Sequence, residues 1–290
     1  MEQKNVVGKG KMMLFSSGNA PRKIEEKWSF LLYFAHLIVP LTLRVQDRLH
    51  LGNAKEKLVF LLYFARFALS LQNEKQINKD MDAIKKLFAK KLMDIKAIKL
   101  QPNEPFTWAS GWKSPIYTDN RKTLSYPDVR SFVKLELCHA IQENFPEAEA
   151  VAGVATGAIA QGALVADQLG LPYAYVRPKP KDHGMGNQVE GHIEKGAKVI
   201  VVEDLISTGG SSLKAVEALR QYGCEVIGMV ASFTYGFPVA EQAFKEAGVR
   251  LITLSNYAAV LEQAADTGYI KPEDIEVLNE WRKDPAAWKA

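Results

Sequence analysis

The spacing of hydrophobic positions changes several times along the chain, and each change marks a boundary. From Met81, the stretch MDAIKKLFAKKLMDI puts Ile84, Leu87, Phe88, Leu92 and Ile95 on one stripe and predicts an amphipathic helix. From Ile98 the pattern breaks into a segment dense in Pro, Gly, Ser and aromatics, KLQPNEPFTWASGWKSPIYTDNRKTLSYP, which predicts loops and short strands. Pro127 opens a second helical run, with Val129, Phe132, Val133, Leu137, Ala140 and Ile141 as its apolar face. From Ala148 onward strands alternate with helices. EAVAGV is a strand, followed by a small-residue turn at Ala155, Thr156 and Gly157 and a helix ending at Gly170. LPYAYV is a further strand, Val199 to Val202 another, and Leu213, Val216 and Leu219 recur at helical spacing until Gly223. CEVIGMVASF, FPVAEQAFKEAG and VRLITLS read as strand, helix and strand, and NYAAVLEQAADTG and PEDIEVLNEWRKD as two closing helices. This alternation predicts an α/β fold: an open, mostly parallel sheet with flanking helices and ligands at the carboxyl edge of its strands.

Residues 1–80 follow a different pattern. KWSFLLYFAH and KLVFLLYFAR, thirty residues apart, share FLLYFA. Two copies are too few for a solenoid, and both apolar runs fall below the roughly 18–20 residues of a spanning helix. No small-x-small cleavage site follows the first run, so it does not read as a signal peptide. A helical hairpin lying on a membrane surface or against the body stays open; the preferred expectation is a dispensable apolar leader over 1–80. The remainder, 81–290, then forms one domain with a small N-terminal hood at about 98–126 and a core at about 127–290.

The formal net charge of +4 belongs to the leader, where 13 Lys and Arg face 7 Asp and Glu; in 81–290 the counts are 24 and 26. That balance argues against a nucleic-acid-binding body. Cys138 and Cys224 sit among apolar residues without metal-ligand spacing, as buried free thiols of a reducing cytoplasm do. His139, alone on its helix, reads as a surface or packing residue.

Candidate chemistry concentrates in VIVVEDLISTGGSS, Val199 to Ser212. A β-branched run without alternation suits a strand buried on both faces, ending at Glu203 and Asp204. The small and hydroxyl residues Ser207, Thr208, Gly209, Gly210, Ser211 and Ser212 then open a helix, whose first N–H groups and dipole make a phosphate cradle. The two carboxylates cannot serve that phosphate and must face sugar hydroxyls or a hydrated metal ion. Upstream, Arg177, Lys179, Lys181, Asp182 and His183 crowd before Gly184 and Gly186, which reads either as a solvated charged loop or, favoured by the two glycines and the single imidazole among fixed cations, as a mobile lid that neutralises a polyphosphate. Phe106, Trp108, Trp112 and Tyr117, interleaved with Lys113 and Arg121, form either a hood for a flat anionic ring or a packed structural hairpin.

VIVVEDLISTGGSS resembles the phosphoribosyl-pyrophosphate loop of type I phosphoribosyltransferases, and FTWASGWKSPIY and RPKPKDHG are similar to segments of the orotate phosphoribosyltransferase family. The resemblance covers about Met81 to Ala290. It implies the type I phosphoribosyltransferase fold and transfer of ribose 5-phosphate from phosphoribosyl pyrophosphate to N1 of orotate, with Mg2+ brought by the substrate and no direct protein ligand to the metal. It further implies that Glu203 and Asp204 bind the ribose hydroxyls, that Leu205 and Ile206 belong to the phosphoribosyl-pyrophosphate-binding stretch, that Ser207, Thr208, Gly209, Gly210 and Ser211 wrap the 5′-phosphate, and that Ser207 also meets orotate. Arg177, Lys181 and His183 would lie on a loop reaching across a homodimer interface to the pyrophosphate, and Lys113, Ile116 and Tyr117 would belong to the orotate hood. His183, Lys181 and Asp204 are the expected catalytic residues, with His183 serving the departing pyrophosphate as acid or hydrogen-bond donor. A cytoplasmic enzyme of pyrimidine biosynthesis, without nucleic-acid or membrane partners, follows. The chain departs from better-known members at Ala109, Thr156 and Pro178, each standing where they carry lysine, and has no clear match near Tyr235 for a later arginine. The rival readings are a purine or uracil phosphoribosyltransferase and a non-catalytic regulator of the same fold.

Overall fold

The computed structural model describes residues 81–108, 111–179 and 188–288. The readings made for 1–80, and those for Ala109, Lys181, Asp182, His183, Gly184 and Gly186, fall outside the described residues.

A helix runs over 81–94 (α1). The short hood strands β1 (Ile98–Leu100), β2 (Phe106–Thr107), β3 (Lys113–Ser114) and β4 (Ile116–Thr118) follow, then a 3₁₀ turn over Asn120–Ser125. The core comprises α2 (Pro127–Asn144), β5 (Ala150–Val154), α3 (Ile159–Leu169), β6 (Tyr173–Val176), β7 (Val189–Gly191), β8 (Lys198–Ile206), α4 (Gly210–Tyr222), β9 (Glu225–Thr234), α5 (Pro238–Glu246), β10 (Leu251–Asn256), α6 (Tyr257–Asp266) and α7 (Pro272–Lys283). Six strands form one sheet in the order β10-β9-β8-β5-β6-β7. All neighbours are parallel except β6 and β7.

The unalternating run of β8 does what its composition demands. Val199 and Val201 pack on one face with Ala215, Val216 and Leu219 of α4 and Phe244 of α5. Ile200 and Val202 pack on the other with residues of α1, α2, α6 and α7. All four valine and isoleucine side chains of this run are fully buried, so each face of the sheet has its own hydrophobic layer. Cys138 and Cys224 are buried free thiols, as expected.

Three details depart from the sequence-based expectation. The β8 strand does not stop at the carboxylates; it runs on to Ile206, because β9 continues beside it and pairs Glu203 with Ala231 and Ile206 with Thr234. On α1 the buried stripe is Phe88, Ala89, Leu92 and Met93, while Leu87 is exposed, so the packed face is rotated towards smaller residues. The antiparallel strand β7 went unread; its three residues, VEG, carry no apolar pattern to announce it.

Candidate active site

Sheet order fixes where a site belongs. The chain leaves β5 towards β6 on one side and leaves β8 towards β9 on the other, so the strand order reverses between these two neighbours. Their carboxyl ends diverge there and leave a crevice. A cleft of about 290 Å³ occupies it, lined by Val154, Ala155, Thr156, Gly157, Glu203, Asp204, Leu205, Ser207, Thr208, Gly209 and Ser211. The expected phosphate loop and the small turn after β5 therefore share one pocket. The Ala155–Thr156 peptide is cis.

The two carboxylates divide in character. Glu203 is buried, and its oxygens already accept one hydrogen bond each, from the Asp204 N–H and the Ser212 hydroxyl, both at 2.8 Å. Burial, and then the neighbouring Asp204 charge, raise its pKa above the ordinary carboxylate value. Asp204 is half-buried and lies directly over the β5–α3 turn: a Cβ added to Gly157 would stand 2.1 Å from its Oδ2. Glycine at 157 is thus the space that the Asp204 carboxylate occupies.

Helix α4 begins at Gly210 behind Gly209, whose φ of +81° favours glycine, and no side chain caps its first turn. Thr208 and Ser211 are exposed and Ser207 half-buried, whereas Ser212 is buried and spent on Glu203. The backbone N–H groups of that turn thus face an opening ringed by hydroxyls, which suits an anion.

The other candidate residues lie on separate elements. Arg177 follows β6; its backbone N–H donates to the Gln188 carbonyl at 2.9 Å, Gln188 Nε2 returns a bond to the Arg177 carbonyl at 2.9 Å, and the Arg177 guanidinium stands 3.5 Å from Glu190. These contacts join the two ends of the 177–188 segment. In the hood, Lys113 is exposed and its Nζ donates to Thr107 Oγ1 at 2.9 Å. The Tyr117 ring is partly exposed and lies 5.6 Å from that of Phe106, and Ile116 is fully buried. Trp108, by contrast, joins an aromatic cluster with Tyr235 and Trp281 at centroid distances of 5.3 and 5.7 Å. Within one hood, then, some aromatics are packing and Tyr117 is presented.

Two connections escaped the sequence reading. Asn120 Nδ2 donates to the Asp204 carbonyl at 2.6 Å, and Trp281 Nε1 donates to the Lys113 carbonyl at 3.2 Å. The first joins residues 84 positions apart and the second residues 168 apart. Periodicity signals neither; the visible hint for Trp281 is its i+3 spacing from Leu278 on α7.

With this geometry in place, comparison with known proteins gives a consistent outcome. The family model described as Phosphoribosyl transferase domain matches residues 136–260. A Phocaeicola vulgatus protein named orotate phosphoribosyltransferase is 68% identical over 210 residues, covering 72% of this chain and 99% of its own. A Porphyromonas gingivalis protein of the same name is 65% identical over 208 residues, covering 72% and 99%. The crystal structure of orotate phosphoribosyltransferase from Aeropyrum pernix aligns with a TM-score of 0.55 at 34% identity, covering 63% of this chain and 99% of that one. A switch-point cleft of this construction, in a chain this similar over the full length of such relatives, belongs to a glycosyltransferase, and the chain is a member of the orotate phosphoribosyltransferase family.

Proposed function

We infer that the chain transfers ribose 5-phosphate from phosphoribosyl pyrophosphate to N1 of orotate, giving orotidine 5′-phosphate and pyrophosphate, a step of pyrimidine biosynthesis. One observation carries the reading: the uncapped N-terminus of α4, with Ser207, Thr208 and Ser211, opens into the same cleft as the Asp204 carboxylate. An anion cradle beside a hydrogen-bond acceptor matches a sugar phosphate, whose phosphate takes N–H donors and whose hydroxyls donate.

In this proposal the segment Ser207 to Ser211 wraps the 5′-phosphate, and Asp204 accepts from the ribose hydroxyls. Glu203, with both oxygens engaged, works from within, holding the strand end and Ser212 in place. Breaking the bond between C1 and the pyrophosphate builds positive character on the ribose and negative charge on the leaving group. Asp204, fixed beneath the ring, stabilises the first. Arg177, Lys181 and His183 act on the second, with His183 donating a proton or hydrogen bond to the departing oxygen. Arg177 enters this role with its backbone held by Gln188 and its guanidinium 3.5 Å from Glu190. Ser207, Lys113 and Tyr117 hold the base, Tyr117 through its exposed ring.

Mg2+ fits the donor set. Among the described residues no three His, Cys, Asp or Glu side chains gather to cage an ion, and Asp204 with the hydroxyls of Thr156, Thr208 and Ser211 would suit the water shell of a hydrated Mg2+ whose direct ligands come from substrate and water. When bound it would neutralise charge on the pyrophosphate. Among the described residues no helix is long and apolar enough to cross a membrane. The proposal places the enzyme in the cytoplasm as a homodimer with sites shared across the interface, and assigns 81–290 to the transferase domain and 1–80 to a leader.

The test is a panel of bases supplied with phosphoribosyl pyrophosphate and Mg2+. Orotate should be consumed with stoichiometric release of pyrophosphate. Consumption of uracil or hypoxanthine with orotate untouched would replace the reading with the purine or uracil alternative, and binding without turnover would favour the regulator.

A further inference from the structure

We propose that Asn120 is a positioning residue for the transfer reaction: it fixes the end of β8, and with it the Asp204 carboxylate, relative to the hood that receives the base. The inference rests on the assignment of Asp204 to the ribose and of Tyr117 to the base.

Asn120 is 5% exposed. It begins the 3₁₀ turn two residues after β4, the strand that carries Tyr117. Its backbone is held on several sides. The Thr123 hydroxyl donates to its carbonyl at 2.7 Å, the preceding Asp119 N–H donates to the Ala97 carbonyl at 2.8 Å, and Lys122 Nζ donates to the Lys96 carbonyl at 3.0 Å. A turn fastened in this way is a rigid mount. From it the side-chain amide reaches across to the Asp204 carbonyl at 2.6 Å.

The position of that carbonyl explains why a side chain is needed. The pairing of β5 with β8 ends at Gly153 opposite Val202, so Asp204 lies beyond the last residue that β5 supports. Asn120 supplies a donor there from another element. Because the acceptor is a carbonyl, the amide must present its NH₂ and cannot be turned over. Its Oδ1 is buried without a donor, so the orientation of the amide is set from the Asp204 side. The cost of burying that acceptor unpaired is tolerated where the geometry it secures matters. A displacement of about 1 Å in a positioned group is enough to cost roughly 10²-fold in rate.

The experiment uses the full chain and four proteins: wild type, Asn120→Ala, Asp204→Asn and the double variant, each assayed at saturating orotate and phosphoribosyl pyrophosphate. Asn120→Ala should lower kcat ten- to hundred-fold while each KM changes by less than about threefold. In the Asp204→Asn background the same change should have little further effect, because a residue that acts through Asp204 has nothing left to position. Asn120→Leu, which keeps most of the volume but has no donor, should behave like Asn120→Ala, and melting temperatures of both variants guard against loss by misfolding. Wild-type kcat in Asn120→Ala, or losses that multiply in the double variant, would overturn the proposal. A wild-type chain that does not make orotidine 5′-phosphate, or a fully active Asp204→Asn, would instead overturn the reading beneath it.

Discussion

Two strand–turn–helix units meet at the crevice, β5 with α3 and β8 with α4, and they use the same small residues for opposite purposes. The β5 unit is filled. A Cβ on Gly153 would stand 2.5 Å from the Tyr173 hydroxyl and 2.8 Å from the Ala158 carbonyl, and one on Gly162 would stand 2.9 Å from the Tyr173 ring. Tyr173 lies in this gap and donates to the Ile159 carbonyl at 2.6 Å, locking strand to helix. Around Gly210 of the β8 unit, by contrast, nothing lies within 4 Å of an added Cβ. Small residues in the first unit are there because protein occupies the space. In the second, Gly209 is also filled, with a Cβ there 2.9 Å from the Phe244 ring, but at Gly210 the space is left open, and that opening, more than the glycine count, marks the proposed phosphate loop.

The comparison can be broken at several points. The largest effect is expected at Asp204, the side chain that spans both units: Asp204→Asn should lower kcat on the order of 10²- to 10³-fold, by loss of charge where positive character develops, with an unchanged melting temperature. Unaltered turnover would remove Asp204 from the chemistry. Next come the glycines. Gly157→Ala should displace the Asp204 carboxylate and reduce kcat about ten- to hundred-fold. Gly210→Ala should leave the unliganded fold as stable as before or more so by up to about 1 kcal/mol, because it stiffens the unfolded chain, yet raise KM for phosphoribosyl pyrophosphate by placing a methyl where the phosphate approaches. Equal behaviour of the two variants in kinetics and melting would erase the distinction between a filled and an open unit. In the filled unit alone, Gly153→Ala should cost about 1–3 kcal/mol of stability through overpacking against Tyr173 and the Ala158 carbonyl, measured by denaturant unfolding.

The smallest effect concerns pH. The Glu203 pKa is raised by burial and by the Asp204 charge above the ordinary 4.5. The folded chain therefore holds a proton that the unfolded chain has released once pH exceeds 4.5, and stability falls as pH rises through that window, by at most about 1.4 kcal/mol per pH unit for one proton. Glu203→Gln, which carries no titrating proton, should flatten the stability–pH profile above pH 4.5. Parallel profiles for the two proteins would sink the assignment.

Sequence patterns were informative where physics is local. The buried run of β8, the Pro127 start of α2 and the Gly170 and Gly223 ends of α3 and α4 are each written in consecutive residues. The cleft was legible to the extent that two such units in a parallel sheet must deliver their turns to one edge. What could not be read is what depends on distant partners. That β8 outruns its carboxylates depends on the length of β9; that Glu203 is engaged depends on Ser212; and the Asp204 carboxylate over Gly157, the Asn120 bond and the Trp281 bond join segments that no window of sequence contains.

The Trp281 contact bears on how the site comes into being. Its indole, fully buried, is wedged against Trp108, Tyr235 and Phe237 while donating to the Lys113 carbonyl. The first hairpin of the hood therefore lacks its inner wall until a helix made 168 residues later arrives. Contacts that close so long a loop form late, because the entropy of closure must be met before they return anything. Every strand of the sheet, β8 included, thus leaves the ribosome before α7 can supply the wall against which this hairpin packs, so the hood is seated only by the last helix of the domain.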